Sequence, residues 1–167
     1  MWQEILSKFS RHPAQEKVVR LLLQKGFRVN SRGRISVEEF EIPHSQIAEY
    51  LNVDRRVVDE TAKKIISDES LKIIFSNLRV APFLKEIAPQ MGLGVIVIEA
   101  EDPHAPGIIS GVSNIIASRG ISIRQAVSDD PYFSENPRLT IITDDRIPPE
   151  VVDEIKKVKG VKGVTLY

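Results

Sequence analysis

The sequence predicts an α+β protein in two parts, a helical N-terminal half and a C-terminal half ordered strand, helix, strand, strand, helix, strand. Three observations carry this. In the first half, apolar residues recur at helical spacing in short runs that end at Gly, Asn or Pro. At Gly94 the pattern changes to a nearly continuous apolar run, GVIVIEAE, read as a strand. Beyond it, helical and alternating stretches succeed each other between Gly- and Pro-marked turns.

Residues 14–25 form a helix with Val18, Leu21 and Leu22 on one face; Pro13 suits its first turn and Gly26 its end. Val29, Ile35, Val37 and Phe40 lie around the turn signal Asn30-Ser31-Arg32-Gly33, which predicts a β-hairpin with Arg28, Arg32 and Arg34 at its polar tip. After Pro43, Ser45 is the expected N-cap of a helix whose inward residues are Ile47, Ala48 and Leu51. Asn52-Val53 makes a tight turn, and Asp54 caps a longer helix with Val57, Val58, Ala62, Ile65 and Ile66 inward. A further helix begins at Asp68 or Ser70. Pro82 and Pro89 bracket a short helix, FLKEIA, and Met91-Gly92-Leu93-Gly94 marks a connector.

In the second half, Ile108, Ile109, Val112, Ile115 and Ile116 make the stripe of a helix packed on a sheet, stopped at Gly120. Residues 121–129 and 138–144 read as strands. A helix opens at Pro148 with Val151, Val152, Ile155 and Val158 inward, and residues 161–167 form the last strand. Connection rules favour one antiparallel sheet with both helices on one face, a ferredoxin-like fold. The domains expected are 1–78, a connector 79–92, and 93–167.

The chain holds 23 basic and 23 acidic side chains, so net charge selects no partner. Its first 34 residues carry eight Lys and Arg against Glu4 and Glu16, a mild basic bias of the sign nucleic acid attracts. The absence of cysteine excludes disulfides and thiolate chemistry. Glu4, Lys8 and Arg11 interrupt any signal-like apolar run, and no segment reaches the ~20 apolar residues of a membrane span, so a cytoplasmic protein is expected. His12, His44 and His104 lack metal-ligand spacing, and neither a metal nor a cofactor is expected. Gly92-Leu93-Gly94 precedes a strand, so it is not a nucleotide loop. The pairs Asp129-Asp130 and Asp144-Asp145 end strands and fit turn chemistry better than acid–base work. No nucleophile–base constellation assembles, and the chain is read as a non-enzyme.

Glu101-Asp102-Pro103-His104-Ala105-Pro106-Gly107, between the first strand and its helix, resembles the ligand loop of the ACT domain, a regulatory module that commonly binds amino acids. The acidic residue and the Pro-Gly stand further apart here than in the commonest form of that loop. The resemblance covers roughly residues 93–167 and implies a ligand held by Asp102, His104, Ala105, Pro106, Gly107 and Ile108. It also implies that Ile123, Arg124 and Gln125 of the second strand contribute across a homodimer interface. The loop has its own reason to bind. Helix-start amides have no intrahelical partner and lie at the positive end of the helix dipole, which suits a carboxylate. Gly107 admits close approach, Asp102 can accept from an amine, and His104 can donate or accept.

Pro43–Ile66 resembles a helix–turn–helix or winged-helix unit, with Asn52 where Gly is usual. Helix–turn–helix joined to ACT is similar to archaeal predicted metabolic regulators. The resemblance implies a dimeric regulator of transcription that senses an amino acid or similar metabolite. Arg55, Arg56 and Lys63 would face DNA, and Arg32 and Arg34 would touch phosphates. Asp54, Asp59 and Glu60 in the same region oppose that, and pairs such as Asp59–Lys63 and Glu60–Lys64 would make a merely solvated face. The alternative is an ACT regulatory protein that binds no DNA and docks on a partner enzyme.

Overall fold

A computed structural model describes residues 2–167 and shows helices and antiparallel sheets in two compact units, one ending at Ala81 and one beginning at Pro82. The first contains α1 (Trp2–Ser7), α2 (Pro13–Lys25), β1 (Arg28–Val29), β2 (Ile35–Val37), β3 (Phe40–Glu41), α3 (His44–Leu51), α4 (Arg55–Ser67) and α5 (Glu69–Ser76). Helix α1 was not expected. It is too short to show a period, yet it buries Ile5 and Leu6, and Phe9 follows into the core beside Val18, Leu22, Ile65 and Phe75.

The predicted turn at Asn30 forms because its side-chain oxygen accepts the N–H groups of Arg32 and Arg34, both at 3.0 Å. A second turn, with Glu38 at positive φ, adds β3, so the hairpin becomes a three-stranded sheet ordered β1-β2-β3. Phe40 then points outward, 78% exposed. Helix α3 starts at His44, after Pro43; Ser45 lies inside the helix and does not cap it. Asn52 takes the left-handed conformation, and its N–H bonds back to Ala48 and Glu49. Asp54 caps α4 by accepting the Arg56 N–H at 2.7 Å, and Asp68 caps α5. Gly26 ends α2 at positive φ, and a Cβ there would collide with the Arg79 carbonyl.

The second unit contains β4 (Gly94–Ala100), α6 (Ile108–Ser118), β5 (Ile123–Ser128), β6 (Arg138–Thr143), α7 (Pro149–Ile155) and β7 (Val161–Leu166). The sheet is antiparallel throughout and ordered β5-β6-β4-β7, the arrangement of a ferredoxin-like βαββαβ unit. Strand β4 is apolar and buried from Gly94 to Ile98 because both faces are covered there. Ile96 and Ile98 meet α6 and α7 through Val112, Ile116, Val151 and Ile155, while Val95 and Val97 pack with Ala88, Leu93 and Leu84. Residues 82–92, expected as a connector with a helix FLKEIA, belong to this unit. They form a turn and then a 3₁₀ helix, Ala88–Met91, because Pro89 has no N–H to continue an α-helix and Gly92 closes the segment at positive φ.

Two faces differ from the expected alternation. A bulge lies in β5: Ile123 pairs with Thr143 and Gln125 with Ile142, leaving Arg124 as the extra residue. Ile123 therefore joins the helix-side core, while Gln125 faces away and clamps residues 82–84 through Pro82 O (2.7 Å) and Leu84 N (3.1 Å). In α6 the buried stripe is Ile108, Val112 and Ile116, and Ile109 is exposed.

Candidate functional site

The loop from Glu101 to Gly107 is a compact turn. Asp102 accepts the His104 N–H at 2.9 Å with its side chain and the Ala105 N–H at 3.0 Å with its carbonyl. Asp102 thus shapes the loop, and His104 stands exposed on it. Gly107 is left-handed (φ 97°), and no side chain caps α6. Its carbonyl takes the first helical bond, from Gly111 N–H (2.9 Å), and also the Ser110 hydroxyl (3.0 Å). The first-turn amides have no side-chain acceptor and lie at the positive end of the helix.

This helix start borders a recess of about 190 Å³. Four expected ligand residues line it, Ala105, Pro106, Gly107 and Ile108, together with Pro103 and Ile109. The far wall comes from the sheet: Ile98 and Ala100 of β4, Ser128 of β5, and Pro137, Arg138 and Leu139 leading into β6. None of these wall residues was singled out from sequence. Leu139 pairs with both Ile98 and Ser128, and only strand register brings the three together. The Arg138 guanidinium lies 3.1 Å from the Glu99 carboxylate, so the only charged lining residue already has its counter-ion. Ile123, Arg124 and Gln125 are at the opposite end of β5 and do not line the recess; Arg124 is ion-paired with Asp144 at 2.6 Å. Such a lining favours a small molecule with an apolar body and one negative end.

In the first unit, α3 and α4 meet through a turn of three residues, and the first turn of α4 presents Arg55 and Arg56 to solvent. Arg55 Nε is 3.6 Å from Asp59 Oδ2, and Asp59 Oδ1 is 2.6 Å from Nδ1 of the buried His44. The His44 hydrogen bond, above all, holds the Asp59 carboxyl below its ordinary range against some desolvation, aided by the charges of Arg55 and Lys63. Lys63 is exposed, whereas Lys64 donates to the Lys8 carbonyl and lies 4.6 Å from the Phe9 ring. The pairs Asp59–Lys63 and Glu60–Lys64 do not form; Asp59 pairs with Arg55, and Glu60 approaches Gln15 at 3.5 Å. At the hairpin, Arg32 pairs with Glu41 at 2.6 Å and Arg28 with Glu39 at 3.7 Å. Arg34 is exposed with no ion pair among the described residues. A mostly apolar groove of about 370 Å³ in this unit is lined by Leu21, Phe27, Ile42, Ile47 and Tyr50, with Lys25 and Gln46.

Among the described residues no cluster of three or more His, Asp or Glu could hold a metal ion, and no helix is long and apolar enough to cross a membrane. The acidic pairs act in turns: Asp129 accepts the Arg138 N–H, Asp130 the Tyr132 N–H, and the Asp145 carbonyl the Thr143 hydroxyl.

Comparison with protein-family models finds no match, and comparison with curated proteins finds none. Among solved structures, the chain is similar to the ACT domain of a GTP pyrophosphokinase from Chlorobium tepidum, at 20% identity over 45% of this chain and 96% of that one, TM-score 0.35. It is similar to a homoserine dehydrogenase from Thiobacillus denitrificans at 13% identity, over 68% of this chain and 28% of that one, TM-score 0.33. It is also similar to a transcriptional regulatory protein of the ASNC family from Pyrococcus furiosus at 16% identity, over 92% and 85% of the two chains, TM-score 0.28.

Proposed function

We propose that this chain is a homodimeric, ligand-responsive regulator, with an ACT-like unit that binds an amino acid or similar small metabolite and a helix–turn–helix unit that binds DNA. The observation that carries the reading is the uncapped start of α6 opening on an apolar recess. A ligand carboxylate would take the free amides at Ile108 and Ile109, and its apolar part would lie against Ile98, Ala100 and Leu139. The edge strands β5 and β7 are available for pairing with a second copy. Occupancy alters DNA affinity only if the DNA-competent and incompetent arrangements differ in ligand affinity.

Thermal shift against the twenty amino acids and the purines tests the sensor. A ligand at a hundred times its Kd adds about 2.7 kcal/mol to stability. The expected result is a rise in melting temperature for small apolar amino acids, absent in Gly107→Val. If no member of the set raises it, the sensor reading fails. Duplex titration tests the other unit: affinity should fall as salt rises, and the double substitution Arg55→Ala, Arg56→Ala should remove it.

One observation favours a second reading, a protein-docking unit that regulates a partner enzyme. Two hairpin arginines are matched by Glu41 and Glu39, and the groove at Tyr50 and Ile42 is apolar. Salt-independent, negligible duplex affinity together with an intact ligand response would select it.

A further inference from the structure

We propose that the buried His44, through the partly exposed Asp59, positions Arg55 as the base-reading side chain of α4. This rests on the DNA-binding reading above and adds the residues that set its selectivity. His44 is the first residue of α3 and is 7% exposed. Its Nδ1 lies 2.6 Å from Asp59 Oδ1; a carboxylate accepts, so Nδ1 carries the hydrogen. The other Asp59 oxygen lies 3.6 Å from Arg55 Nε, one turn earlier on α4. A chain of contacts thus runs from a buried imidazole through a carboxylate to a guanidinium that is 65% exposed.

For stability alone the arrangement is poor. His44 Nε2 is buried with no partner among the described residues, and a buried unpaired acceptor costs free energy that an apolar side chain in its place would not. The contacts do restrain an arginine. Guanine is read by a planar fork at a fixed place and angle, whereas a free arginine must give up many rotamers to reach it. Asp59 stands at ion-pair distance from Nε, and neither terminal nitrogen has a partner among the described residues, so both are available for the O6 and N7 of guanine. Residues in the first turn of the second helix are the ones presented to base edges. Arg56 has no ion pair among the described residues. The two adjacent arginines then differ in kind, Arg55 reading a base and Arg56 neutralising phosphate.

The test uses the full chain and a randomised duplex library, followed by titration of a selected and an unselected duplex. Arg55→Ala should abolish a guanine preference that the wild type selects. Asp59→Asn should lower affinity for the selected duplex about tenfold, the scale of one lost bidentate contact, without lowering that for the unselected duplex. The sign is diagnostic, because removing a negative charge from a DNA-facing helix would by electrostatics alone raise both affinities. His44→Leu should behave like Asp59→Asn. His44→Asn, whose amide nitrogen takes about the place of Nδ1, should keep the preference. If His44→Leu does not fold, Asp59→Asn decides, since its carboxylate is a third exposed. If Asp59→Asn raises both affinities equally, or Arg55→Ala keeps the guanine, the positioning role is overturned while DNA binding stands. If the wild type selects nothing and shows no salt-dependent duplex affinity, the DNA reading falls and this inference with it.

Discussion

At the start of α4 the chain supplies its own anion, the Asp54 carboxylate on the Arg56 N–H, whereas at the start of α6 a left-handed glycine supplies none. The two helices begin after similarly tight turns, and in both the first-turn amides lie at a positive end. The first start is closed to an outside anion and bordered by arginines. The second is open and bordered by Ile98, Ala100 and Leu139. A capped start thus suits a surface that meets phosphate through side chains, and an uncapped one suits a small carboxylate met by backbone.

Substitutions at the two starts can break this contrast. The largest effect is expected for Ile108→Ala, which removes a buried side chain that also walls the recess; it should cost about 2–5 kcal/mol in urea unfolding and loosen ligand selectivity. Next is Gly107→Ala. Its Cβ would meet nothing within 4 Å, so the cost is that of the left-handed backbone, about 1–2 kcal/mol. A much larger loss would mean that the open space there is filled. Asp54→Ala should cost about 1 kcal/mol and leave ligand response untouched, which calorimetry with and without ligand would check. A loss of ligand response would contradict the separation of the two starts.

The smallest effect concerns acid. Lys8 and Ser70 hold Asp68 well below the ordinary carboxylate range, and His44 does the same for Asp59 to a lesser degree. Native values below unfolded ones mean that both contributions are complete above about pH 4 and fade as pH drops toward the native values. Asp68→Asn should therefore flatten the acid limb of stability against pH and change little at neutrality, where a surface ion pair contributes modestly.

Much of the fold was legible. The cap at Asp54, a helix start at Asp68 or Ser70, the left-handed Asn52, the turn at Asn30 and the order of the last six elements each follow from residues a few positions apart, and the structure selects Asp68 of the two starts. The expected N-cap Ser45 failed because Pro43 already occupies the cap position two residues earlier and the helix begins at His44. The helix expected at 83–88 failed because Pro89 and Gly92 favour a tighter turn. At the candidate site, Ala105 to Ile108 were legible from the loop, while Ser128, Pro137 and Leu139 were not, since they reach the recess only through the pairing of β5 and β6. Lys64, a possible partner of Glu60 by spacing, is instead held against Phe9, 55 positions earlier in the chain.

The amino-acid order alone determined where helices start and stop, which segments alternate, and that a glycine opens the helix after the first strand of the second unit. These depend on backbone preferences and on side chains within a turn of one another. The tertiary structure decided which strands share a register, that a bulge at Arg124 turns Gln125 to the sheet face away from the helices, and that His44 is buried against Asp59, 15 residues on. Those outcomes depend on how separate elements fill space and satisfy buried polar atoms, which local periodicity does not encode.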